Sequence, residues 1–308
     1  MKKIAIAVAV IVAVGVGGVS YVNSVASKQA RLEIDKQFAL ISEETDVTFT
    51  YADVSASVIA KSVKISDLNM ISAEGEQVAN INSIVVKGYD PEHISPHSSV
   101  DISGFKLSEA LIAQVPDEFN NMLASASYDL HSSLDYDEKS GNSDVVFNVA
   151  AKDIVSLNME LGLANSTPLI EVSLAAQQQA NTAALSDEQL EEQQIRVLEA
   201  MNELEPRRMN LALKNEGQLK ALLASELSKQ GMTVEQMQMM VEMQLQQMPV
   251  NPDIAQAING FVKGLNSLSV SASLPAGKTL TEINEQIMML ADQPDEVAKL
   301  INLEVKGS

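Results

Sequence analysis

The chain has 308 residues, no cysteine and no tryptophan, and 41 acidic against 21 basic residues, for a net charge of −20. That balance excludes nucleic-acid binding, because a phosphate backbone repels such a surface, and the lack of cysteine excludes disulfides, thiol nucleophiles and cysteine-ligated zinc. Aromatic residues at 4% argue against a carbohydrate site built on stacked rings, whereas 46% hydrophobic residues suffice for a substantial core.

Lys2 and Lys3 precede an uncharged run from Ile4 to Val22. As a helix rising about 1.5 Å per residue it covers roughly 28 Å, close to a hydrocarbon core. Ser24-Val25-Ala26 offers a weak small-x-small cleavage site at Ala26, but the run exceeds a secretory h-region, so retention is preferred over removal. The lysines put the short end in the cytoplasm and the remainder outside it. Ala30, Leu32, Ile34, Phe38, Leu40 and Ile41 then recur among charges, as in a helix emerging from a bilayer. Residues 1–26 are expected to form a transmembrane signal-anchor and residues 27–45 a membrane-proximal helix.

Residues 46–174 alternate with period two, and read as an antiparallel meander with one buried face. Val47, Phe49 and Tyr51 begin the series; Tyr128, Leu130, Leu134 and Tyr136 lead through the turn-like KSGNSD to Phe147, Val149 and Ala151, and then Leu157, Met159, Leu161 and Leu163. Three strings, ISDLNM from Ile65, INSIVV from Ile81 and ISGFKL from Ile102, share apolar residues at i, i+3 and i+5. One slip in the alternation of each predicts a bulge, and repeated bulges predict a curved sheet.

Residues 175–308 mix helices with short strands and are expected to continue the same sheet. Ser186-x-x-Gln189 begins a polar helix to Glu205 with a thin apolar side of Leu190, Ile195, Leu198, Met201 and Leu204. Met209, Leu211 and Leu213 make a strand; Leu219 to Leu227 a helix that Gly231 ends; Thr233 and Gln236 a capping box for the next. Ile254, Ile258, Phe261 and Leu265 mark a further helix. Leu268, Val270, Ala272 and Leu274 alternate, Thr279 to Ala291 is helical, and Ile301, Leu303 and Val305 form a last strand.

Three motifs bear on chemistry. ASLPAGKT, Ala272 to Thr279, approaches a phosphate loop, but Pro275 removes a donor and Gly277 stands alone, so strand-turn-helix is the preferred reading. DYDEKSGNSD, Asp135 to Asp144, misses the calcium-loop register and reads as a hairpin turn. QMQMMVEMQLQQM could offer thioethers to Cu(I); core packing is preferred, with Met237, Met240, Val241 and Met243 as candidates to line an apolar ligand. His93 and His97 flank Pro96, which argues against a helical metal pair. No G-x-S-x-G or H-E-x-x-H occurs, and no catalytic, metal or cofactor-binding residue is assigned.

The apolar run, the strand series through SVKISDLNM and ANINSIVVKGYD, and the ending SLSVSASLP…INLEVKGS resemble the YdgA-like and AsmA-like envelope proteins of Gram-negative bacteria. The resemblance implies a single-pass protein of the bacterial inner membrane with its C-terminal part in the periplasm. The expected fold class is α+β: an N-terminal transmembrane helix, then a strongly curved, mainly antiparallel β-sheet with helices packed over or beside it. The expected function is non-enzymatic cell-envelope maintenance through binding or transfer of lipid or another apolar ligand. The alternative is a structural or regulatory partner of an envelope assembly, with the polar 186–205 helix as a contact site, and a hydrolase comes third. No cofactor is expected.

Overall fold

A computed structural model describes residues 27–57, 59–88, 95–112, 126–182, 187–247 and 251–308. The strands are β1 (Val47–Thr50), β2 (Asp53–Ser57), β3 (Ser62–Ser72), β4 (Gln77–Lys87), β5 (His97–Leu107), β6 (Tyr128–Asp137), β7 (Asn142–Ala151), β8 (Val155–Ala164), β9 (Glu205–Asn215), β10 (Ser267–Ser273) and β11 (Glu304–Gly307). The helices are α1 (Ser27–Thr45), α2 (Glu109–Ile112), α3 (Thr167–Thr182), α4 (Asp187–Asn202), α5 (Leu219–Lys229), α6 (Val234–Gln247), α7 (Pro252–Gly264), α8 (Leu280–Met289) and α9 (Pro294–Leu300). The strands form an 11-stranded antiparallel sheet in the order β1-β3-β4-β5-β6-β7-β8-β9-β10-β11, with β2 also on β3. The chain divides into two compact units, residues 1–136 with 173–186, and residues 137–172 with 187–308.

In the first unit α1 lies on β1 and β2. Ala30, Ile34 and Phe38 are spaced by four on one helical face, and all three are buried, Ile34 at 1% exposure. They join Val54, Val63, Ile65, Leu68, Ile81 and Ile84 in one core, where the Phe38 ring stacks on Phe49 at 4.9 Å. Tyr51 flanks this stack and its hydroxyl donates to Asp35.

Two expectations are corrected here. Among the described residues no helix is long and apolar enough to cross a membrane, so a single-pass inner-membrane anchor with a periplasmic domain is not supported. The expected span, Ile4 to Val22, and the Ser24-Val25-Ala26 site lie outside the described residues. Apolar residues after that span have another cause: Ile34 and Phe38 face the sheet, where burial of such side chains stabilises by about 1.5–3 kcal/mol each. The second correction concerns the sheet, which is open and not strongly curved.

The repeated motifs explain this. Ile65 with Leu68, Ile81 with Ile84 and Ile102 with Phe105 are all buried, so the alternation does slip by one in each string. However, Ser66 opposes Ser83, Leu68 opposes Ile81, and Ser83 opposes Ser103, so neighbouring strands slip in step and neither gains a residue on the other. The register does shift at Ile102/Phe105 against β6, inside ISGFKL, so that string carries the expected bulge, and at Met70/Ile71 against β4, at the end of ISDLNM. Asp67 and Gly104 take up the slip with left-handed backbone, φ 52° and 68°. A side chain at Gly104 would meet Asn82 Nδ2 at 2.2 Å, while the Gly104 N–H donates to Asp129 Oδ1 at 2.8 Å.

Ile34→Ala is expected to destabilise the first unit by about 2–5 kcal/mol in denaturant unfolding, through lost burial and the cavity left under α1. Burial, followed by the hydrogen bond to Asp35, pushes the Tyr51 hydroxyl up to about 12 from its ordinary 10.0. Its folded-state pKa is the higher one, so its contribution is complete below pH 10 and disappears as pH rises toward 12. With no tryptophan present, absorbance at alkaline pH reads tyrosinate directly, and Tyr51→Phe is expected to remove a phenol that titrates near pH 12.

Candidate functional site

The second unit carries its apolar side chains on one face of β7–β11. Antiparallel register sets them in rows across the strands. One row is Phe147, Met159, Leu211, Val270 and Val305. Beside it runs Val149, Leu157, Leu213 and Leu268, and on the other side Val145, Leu161, Met209 and Ala272. Ala272 is buried; Leu211 and Met209, near the middle, remain 38% and 36% exposed. No charged residue stands in the three rows.

The reverse face is largely polar, and several of its side chains pair with one another. Asn158 Nδ2 donates to Asn148 Oδ1, Asn210 Nδ2 to Glu160 Oε2 at 3.2 Å, and Arg208 pairs with Asp144 at 3.2 Å. The Ser156 hydroxyl donates to Glu216 at 2.7 Å and, with Lys214, holds its carboxyl below the usual carboxylate range.

Helical cover is incomplete because of where α7 docks. Within this unit α7 is the helix that packs extensively on strands, against β11 and β10. Asn251 caps it by accepting from the Asp253 N–H at 2.9 Å, and Leu265 closes it in left-handed conformation at φ 50°. A Cβ on Gly307 would stand 1.8 Å from the Ala257 carbonyl oxygen, and one on Gly260 would stand 2.5 Å from the Gly307 oxygen. Gly307 opposes Leu268, so α7 stands on the apolar side. The result is a floor of β7–β9 beside a helical wall over β10 and β11.

Met237, Met240, Val241 and Met243 all lie on α6, which packs on α7 and α5. Met237 and Val241 are half-buried and neighbours at i, i+4; Met240 and Met243 are neighbours at i, i+3 and point outward, 48% and 56% exposed. The expected capping box holds α6: Thr233 N–H donates to Gln236 Oε1 at 2.8 Å and Gln236 N–H to Thr233 Oγ1 at 3.2 Å. The β7–β9 floor was readable strand by strand as alternation. What sequence could not signal was its register into rows and the short reach of the helices.

Other features are structural. ASLPAGKT is the end of β10, a turn with Gly277 at φ 70°, and a capping box in which Thr279 and Glu282 start α8. In the β6–β7 turn, Ser140 donates to Asp137 at 2.7 Å and the Lys139 N–H at 3.0 Å, which holds the Asp137 carboxyl below its usual range. His97 and His131 sit on β5 and β6 opposite Asp135 and Asp101, at 2.5 and 2.6 Å. Asp90 to His93 lie outside the described residues. Among the described residues no three His, Asp or Glu side chains are grouped to hold a metal ion. An open groove of about 790 Å³ between the α7 N-terminus, α9 and β11 is mixed in character, and its Lys299 and Lys306 are paired with Glu296 and Glu304.

A family model described as an uncharacterized protein matches residues 148–308, just over half of the chain, and names neither the YdgA-like nor the AsmA-like proteins. No curated protein matches the chain. The matched stretch takes in β8–β11 and all helices from α3 onward.

Because the α7–β11 contact sets the edge of the cover, Gly307→Ala is expected to lower stability by about 1–3 kcal/mol in urea unfolding. Ser269→Ala, on the opposite face of β10, should leave the midpoint nearly unchanged.

Proposed function

We propose that this chain, which belongs to that family of uncharacterised proteins, is a non-enzymatic binding protein that takes an aliphatic ligand, such as a lipid acyl chain, on the apolar face of β7–β9. One observation carries the reading: three adjoining rows of Val, Leu and Met side chains stay partly open to solvent, with Leu211 at 38% exposure in their middle. An apolar surface of this extent is costly to leave wet, and such surfaces mark binding sites.

The chemistry of the rows favours an aliphatic chain over a protein partner. Protein interfaces draw their strongest contacts from Trp, Tyr and Arg. These rows contain none of the three, and Phe147 is their one aromatic residue. Packing on an aliphatic chain needs no directional partner, and α7 supplies a second wall on one side. The polar reverse face, with its amides and ions already paired, is the solvated side of the same sheet.

The test is titration of delipidated protein with a dansyl-labelled fatty acid. Saturable, blue-shifted fluorescence that an unlabelled long-chain fatty acid displaces is expected. Met159→Thr with Leu211→Thr puts β-branched residues of high strand propensity in their place and is expected to weaken binding about tenfold or more, equivalent to about 1.4 kcal/mol. Met288→Thr, on α8 at 70% exposure, should change nothing. Absence of saturable binding, or equal affinity in the double variant, would sink the reading.

A further inference from the structure

Helix α4 turns three large apolar residues to solvent. Ala200, and Leu204 just beyond the helix, are buried and Val197 is half-buried, so this side packs inward. Gln193 shares it, and its Nε2 is buried without a hydrogen-bond partner. Ile195, Leu198 and Met201, spaced by three, face solvent at 50%, 59% and 41% exposure. A solvated helix normally reverses this arrangement, with apolar residues inward and amides outward. Helix α8 packs on α4, where the Leu280 N–H donates to the Leu204 carbonyl at 2.8 Å. Leu280 itself is 43% exposed.

The flanking charge has one sign. Glu191, Glu199 and Glu203 are exposed beside the stripe, and the single cation of α4, Arg196, already pairs with Glu192 at 2.7 Å. Three exposed apolar residues spaced by three form one stripe along the helix, against which the apolar face of an amphipathic helix can lie. A carboxylate rim around them attracts a basic partner and repels an acidic one. A second copy of this chain would bring the same carboxylates and a further net charge of −20, so self-pairing through α4 is disfavoured.

We infer that the outer face of α4 is a docking surface for a basic amphipathic helix of a partner protein, whose apolar stripe covers Ile195, Leu198 and Met201 while its Lys or Arg residues meet Glu191, Glu199 and Glu203. This surface is separate from the β7–β9 rows, and the inference does not rest on ligand binding there.

Fluorescence anisotropy with a dye-labelled synthetic amphipathic helix of Leu and Lys tests it, with a Leu and Glu helix as the counterpart. Saturable binding of the Lys peptide alone is expected, weakening as salt is raised. Ile195→Ser with Leu198→Ser should weaken it about tenfold or more, and Glu199→Lys should do so independently. Glu171→Lys on α3 makes the same change of charge elsewhere and should have much less effect. All four sites are solvent-exposed, and circular dichroism confirms that each variant is folded. Unaltered affinity in the serine variant, or equal losses for Glu171→Lys and Glu199→Lys, would reduce the binding to bulk attraction and overturn the inference.

Discussion

The close backbone approach of α7 to β11 governs the second unit. Gly260 and Gly307 allow it, since a Cβ on either would collide with a carbonyl oxygen of the opposite element. Helix-on-sheet packing ordinarily keeps side chains between the two backbones. Without them here, α7 sits low over β11 and β10 and spends its apolar side at one margin of the sheet. The apolar rows over β7–β9 remain open as a direct result, and so does the distinction between a wet floor and a helical wall.

The first unit solves the same problem in the ordinary way. Its helix α1 lays Ala30, Ile34 and Phe38 onto the strands, and the core residues of β3 and β4 fall to a few percent exposure. The two units therefore differ in completeness of burial. That difference gives the second unit a surface to bind with, while the first has the more fully buried core.

Strand periodicity was the most legible feature of the sequence. The alternations at Phe147, Leu157, Met209 and Leu268 each lie in a strand, because a two-residue period with one apolar face has few other uses. Capping chemistry was readable at Thr233, where a hydroxyl and Gln236 three residues later satisfy free N–H groups, and the same arrangement at Thr279 and Glu282 went unread. Helix α9 escaped notice because seven residues starting at Pro294 are too short to show a stripe. Apolar residues in α1 misled for a sharper reason: a core face and a bilayer-emerging face have the same period, and only the opposing sheet separates them. The three slipped strings were readable one at a time, yet whether they bend a sheet depends on register between strands, which no single strand contains. The thin apolar side read along α4 is divided in the structure, with Leu204 buried and Ile195, Leu198 and Met201 turned outward.

An open sheet with an exposed apolar face invites fibre-like stacking through its unpaired margins. Both margins here are poor templates for it. On one side β1 and β2 share β3 between them, so the outer edge is broken into pieces of four and five residues. On the other, β11 is four residues long, carries solvent-exposed Glu304 and Lys306, and is shielded at Gly307 by α7. The glycine contact that leaves the apolar rows uncovered thus also blunts the edge through which they could aggregate, so that an adhesive face coexists with protection against strand-by-strand growth.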